Sequence, residues 1–116
     1  MINAKMIEFY KGFKSDSHPM SIMVGVVGAL SAFLHSDELS NPKDRYEMAI
    51  KLIAKMPTLA AYAYRTAMGL PLVFPKKKYG YMKNFLYMMF SNPMDDEFEI
   101  AEDILKALEV IWICHA

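Results

Sequence analysis

PMSIMVGVVGALSAFL, residues 19–34, is an unbroken apolar run held between His18 and His35. It is too uniform to leave one face in water, so a helix formed here must be covered on most of its circumference. A membrane span would need about 20 apolar residues. This run is shorter, carries two glycines and two serines, and lacks flanking charge clusters. A strand would normally end after about 5 to 6 residues. A buried helix fits best, covered by the rest of the chain or by a second copy. Ser21, Gly25, Gly28, Ala29 and Ala32 recur at spacings of three and four, which makes a narrow stripe along which another backbone can come close. Each glycine costs a helix about 0.8–1 kcal/mol relative to alanine, so two of them imply a packing reason.

Composition narrows the class. The 116 residues carry 13 basic and 13 acidic side chains, enough for one domain and with no net charge to draw a polyanion, which argues against nucleic acid as a partner. Hydrophobic residues make up 54% and charged residues only 22%, so polar cover is scarce and a large contact with something else is expected. Cys114 is the single cysteine and cannot close an internal disulfide. The opening MINAKMIEFYKGFK has charges and aromatics where a signal peptide would be apolar. The eleven methionines give adaptable packing and, without a Cys/His cluster, no metal signal.

Around the central run the pattern is helical throughout. Asn3 to Phe13 carries a loose apolar stripe ending at Gly12. Ser15 and Asp16 are candidate N-caps ahead of Pro19, a residue suited to the first helical position. SDELSN is a loop, and Asn41-Pro42 repeats the cap-then-proline signal. The helix that follows is expected to run to Lys55, with Tyr46, Ala49, Ile50 and Ile53 inward and Asp44, Glu47, Lys51 and Lys55 on a charged face where Glu47 and Lys51 can pair. Pro57 is expected to stop or kink it, and TLAAYAYRTAM to continue as a separate helix capped by Gly69. Lys76 to Lys78 beside tyrosines could hold a phosphate or form a solvated loop. YMKNFLYMMF is a short helix, apolar nearly all round, with Asn84 as its one polar residue able to matter inside. Asp95, Asp96 and Glu97 complement the positive end of a last helix, which buries Ile100, Ile104, Leu105, Leu108, Ile111 and Trp112 on one face. Its final turn, Trp112 to Ala116, is apolar and lacks a cap, as in a chain cut from a longer one.

No phosphate-binding glycine loop, zinc spacing or nucleophile elbow is present, and the three histidines are far apart. His18 reads as a helix-start residue bonded to backbone, and His35 as a helix-end cation. His115 is either a satisfied core histidine or part of a site completed downstream.

SDSHPM at 15–20, GALSAF at 28–33, KMPT at 55–58, NFLYMMF at 84–90 and the terminal His115-Ala116 together resemble citrate synthase, in order and in spacing across the whole chain. The resemblance implies an all-α, multi-helical fold, with residues 1–116 forming part of the large helical domain and the small domain and C-terminal part lying outside. It implies an enzyme that condenses acetyl-CoA with oxaloacetate and hydrolyses the resulting citryl-CoA, with acetyl-CoA as a substrate and no resident cofactor. It implies a homodimer, or a hexamer built from dimers, in which the helix from Pro19 to Leu34 packs antiparallel on its symmetry mate through Ser21, Gly25, Gly28, Ala29 and Ala32. His115-Ala116 matches the opening of an H-A-D-H-E motif, so His115 is expected beside the active site. The second histidine of that motif and the other catalytic groups would follow Ala116. Lys51 and Lys55 match positions that contact NADH in regulated bacterial members. Methylcitrate synthases and the synthase-like part of citrate lyases share these features. The compartment would be cytoplasmic in a bacterium, mitochondrial or peroxisomal in a eukaryote.

Overall fold

The computed structural model describes residues 2–33, 41–94 and 97–116. Expectations for Leu34, His35, the segment from Ser36 to Ser40, Asp95 and Asp96 fall outside that set. The described residues form five helices and no strand: α1 (Ala4–Lys11), α2 (Pro19–Phe33), α3 (Pro42–Ala67), α4 (Tyr81–Phe90) and α5 (Glu102–His115). α3 is the spine, packed against α4, α2 and α1, while α5 touches only α4 among the described elements.

The ends of the helices follow local chemistry. Asn3 and Asn41 each accept a hydrogen bond from the backbone N–H two residues on, at 3.0 Å. At α2 the cap is His18, whose Nδ1 accepts from the Met20 N–H at 3.1 Å, and not Ser15 or Asp16. α3 closes in a Schellman motif. Leu70 N–H reaches the Arg65 carbonyl at 2.8 Å, Gly69 N–H reaches Thr66 at 3.1 Å, and Gly69 holds a φ of 67° that a side chain would resist.

One line of α2, Ile22, Val26 and Leu30, is fully buried against Met6 and Tyr10 of α1 and Leu59, Ala61, Tyr62 and Ala63 of α3. Burying each such aliphatic side chain contributes about 1.5–3 kcal/mol. The Tyr10 hydroxyl donates to the Leu59 carbonyl at 2.9 Å, pinning α1 to α3 across 49 residues of sequence.

Two expectations are overturned along α3. The helix does not break at Pro57: Pro42–Ala67 is one α-helix with Pro57 buried inside it. Proline removes the N–H that the Ile53 carbonyl, one turn earlier, would have accepted. That carbonyl receives the Tyr81 hydroxyl instead, at 2.8 Å, so the lost bond is replaced from α4. Tyr46, Ala49, Ile50 and Ile53 are also not inward. All are exposed, while Asp44, Met48, Leu52 and Lys55 are half-buried. The tightly packed second half, Leu59 to Arg65, fixes the rotation of the whole rod, and the first half follows it.

α5 differs from its expected form as well. Ile100 precedes the helix and none of its side chains is buried. The acids in its first turn are Glu102 and Asp103, not Glu97, and the i,i+4 pair that forms is Glu102–Lys106 at 3.2 Å. Only Leu105 and Leu108 are half-buried, and Trp112 meets Tyr81 and Phe85.

Candidate functional site

Three regions have functional potential: the outer face of α2, a cleft between α3 and α4, and the end of α5. On α2 the small-residue stripe divides. A Cβ at Gly25 would lie 3.0 Å from the Phe13 ring, so that glycine serves the approach of the segment after α1 within the same chain. Ala29 packs beside the core. Ser21, Gly28 and Ala32 are exposed, joined by Met20, Val24 and Ser31, and among the described residues nothing lies within 4 Å of a Cβ at Gly28. The result is a flat outward strip along the whole helix, with small residues at its centre.

The cleft has a volume of about 190 Å³ and is lined by Lys55, Thr58, Tyr62, Tyr81 and Asn84 together with apolar neighbours including Ile2 and Phe74. Tyr62 is 1% exposed, its ring set edge-to-face on Tyr10 at 5.8 Å and on Phe74 at 6.3 Å. Burial pushes the Tyr62 phenol up to about 12, so it is a neutral donor at physiological pH. Asn84 accepts from the Lys76 N–H at 3.0 Å and donates to the Lys76 carbonyl at 2.9 Å, fastening the basic loop to α4. Within that loop and the first turn of α4, Lys76 lies over the Tyr87 ring at 4.8 Å, and Lys78 and Lys83 over Tyr79 at 5.2 and 4.6 Å. Between Glu47 and Asp95 the sequence has seven basic side chains and no acid. That stretch is cationic in a chain that is neutral as a whole, and Lys55 is the one charged side chain among the described residues lining the cleft. Lys51 is exposed and does not line it.

His115 is exposed, not part of a buried stripe, and its Nδ1 lies 3.0 Å from the Ile111 carbonyl of its own helix. Ile111, Trp112, His115 and Ala116 line a shallow hollow at that end. No described carboxylate bonds a histidine, and no group of three or more candidate metal ligands occurs among the described residues. No described helix is long and apolar enough to cross a membrane.

Sequence patterns did not single out Arg65, which is 2% exposed. Its Nε donates to the Pro71 carbonyl, and its Nη1 serves the carbonyls of Met89 and Ser91 at 3.0 Å and Met88 at 3.4 Å. Burial lowers its pKa, with Tyr64 acting the other way, and the guanidinium stays charged. It caps the C-terminal end of α4 from another helix, the end where a cation is favoured.

A multi-helical scaffold with two open helix faces and a cleft between α3 and α4 is the class these features define. Residues 1–116 match the family described as citrate synthase, C-terminal domain. The fold is similar to the crystal structure of citrate synthase from Pyrobaculum aerophilum, with a TM-score of 0.63 and 30% identity over 83% of this chain. The chain spans 26% of that protein's length. It belongs to the citrate synthase family, a family of acyltransferases.

Proposed function

We propose that the chain is a segment of a citrate synthase, the enzyme that joins the methyl carbon of acetyl-CoA to the keto carbon of oxaloacetate and hydrolyses the citryl thioester to citrate and CoA. The observation that carries this is the family match along all 116 residues. The segment supplies scaffold, a homodimer contact through the outer strip of α2, and the α5 end bearing His115 beside the active site. The acid–base groups lie in the continuing polypeptide. That polypeptide is expected to release CoA from acetyl-CoA only when oxaloacetate is present, and faster than from propionyl-CoA. The isolated 116 residues are expected to give no turnover. A thiol-release assay tests both, and comparable turnover by the isolated chain would overturn the assignment of roles.

The cleft supports a second, regulatory role, inhibition by NADH. Lys55, with Thr58, Tyr62, Tyr81 and Asn84 beside it in the cleft, supplies a cation and neutral polar groups that suit a phosphate-bearing ligand. Lys51, exposed one turn earlier on α3, is placed to meet a part of the ligand outside the cleft. Lys55→Gln in the full-length enzyme is expected to weaken NADH inhibition about tenfold, the value of one charge-assisted hydrogen bond. An unchanged inhibition curve would remove Lys55 from that role.

A further inference from the structure

We infer that Tyr81 is a latch joining the two halves of α3 across Pro57 to the end of α5. Before Pro57, no side chain of α3 is buried; from Pro57 onward, six are. The junction of the loose half and the anchored half is the one place where the helix lacks an internal hydrogen bond. Tyr81 fills that gap from outside, its hydroxyl 2.8 Å from the Ile53 carbonyl. The same ring meets Trp112 edge-to-face at 6.1 Å, and Trp112 also leans on Phe85 at 5.3 Å. Among the described elements α5 touches only α4, and none of its side chains is buried, so these aromatic contacts, with half-buried Leu105 and Leu108, carry its described packing.

The latch has two arrangements. In the one the structure shows, the Ile53 carbonyl accepts a hydrogen bond from the Tyr81 hydroxyl; in the inferred other, that carbonyl turns to water and α3 bends at Pro57. Any bias on the first half of α3 is then felt at Trp112, one turn before His115, and any bias on α5 is felt at Ile53, since coupling is reciprocal. Tyr81 also lines the cleft, so a molecule bound there touches the latch directly. Tyr81 is thus a positioning residue for the α5 end. Its bearing on catalysis rests on the citrate synthase reading, whereas the latch itself does not.

Amide exchange on the full chain tests it. Tyr81→Phe keeps the ring and removes the donor, so exchange across residues 46–56 should quicken about 2- to 10-fold. The emission of Trp112, the only tryptophan of the 116 residues, should shift with it. Pro57→Ala restores the missing N–H, so in that background Tyr81→Phe should change exchange little, a non-additive cycle that a general packing defect would not give. Trp112→Leu should quicken exchange in the same stretch. An equal effect of Tyr81→Phe with proline or alanine at 57, or no effect of Trp112→Leu on residues 46–56, would overturn the latch. Neither readout depends on whether the enzyme makes citrate.

Discussion

Replacing Arg65 by methionine is expected to lower the unfolding free energy by about 3–5 kcal/mol, the largest loss from any single substitution considered for this chain. Methionine fills much of the same volume, so the loss isolates the guanidinium. Four carbonyls, from Pro71, Met88, Met89 and Ser91, converge on it in a site that is 2% exposed. Three belong to the last turn and cap of α4, where carbonyls have no helical donors left. Without the cation they are buried and under-satisfied, and the end of α4 should fray. Arg65→Lys keeps the charge but not the planar fork and should fall between the two. Urea unfolding of the three proteins checks the order, and a methionine variant within about 1 kcal/mol of wild type would show that water replaces the guanidinium.

Val24→Glu should have the next largest consequence, a weakening of self-association by at least about 100-fold in the full-length enzyme, since a carboxylate sealed into a helix–helix contact costs several kcal/mol. Val24 is 73% exposed at the centre of the outer strip of α2, so none of the described residues depends on it for packing. Gly28→Leu should act in the same direction by blocking close approach, because none of the described residues lies within 4 Å of its Cβ. Gly25→Leu is a poorer probe, since it strikes Phe13 and would unsettle the protomer before reporting on any partner. Sedimentation velocity of Val24→Glu decides the matter, and an unchanged mass would remove α2 from the interface.

The fold class was legible because helices announce themselves locally. Asn41-Pro42, His18-Pro19 and Gly69 mark starts and stops through chemistry confined to a few residues, and all act at helix ends in the structure. Pro57 misled for the same reason. Its local meaning is a break, and the hydroxyl that compensates comes from Tyr81, 28 residues after the Ile53 carbonyl it reaches. The inward face of α3 was misjudged because periodicity identifies an apolar stripe but not what covers it, and Tyr46, Ile50 and Ile53 have no cover among the described residues. Of the candidate site, Lys55 is found in a cleft, whereas Lys51 and His115 are exposed positions whose roles depend on groups beyond these helices. Arg65 gave no signal, since its partners are carbonyls and every residue carries one.

That last property has a consequence for how this region can vary. The groups that hold Arg65 belong to the backbone, so side chains at 71, 88, 89 and 91 can change with little effect on the guanidinium's bonds. Chain length cannot. An insertion or deletion between Leu70 and Pro71, or within Met88 to Ser91, would carry the acceptors out of register with a fixed donor. The Arg65 bonds are thus indifferent to side-chain identity and intolerant of indels, while Met88 and Ser91 stay constrained by their burial, and loop grafting here must preserve spacing first.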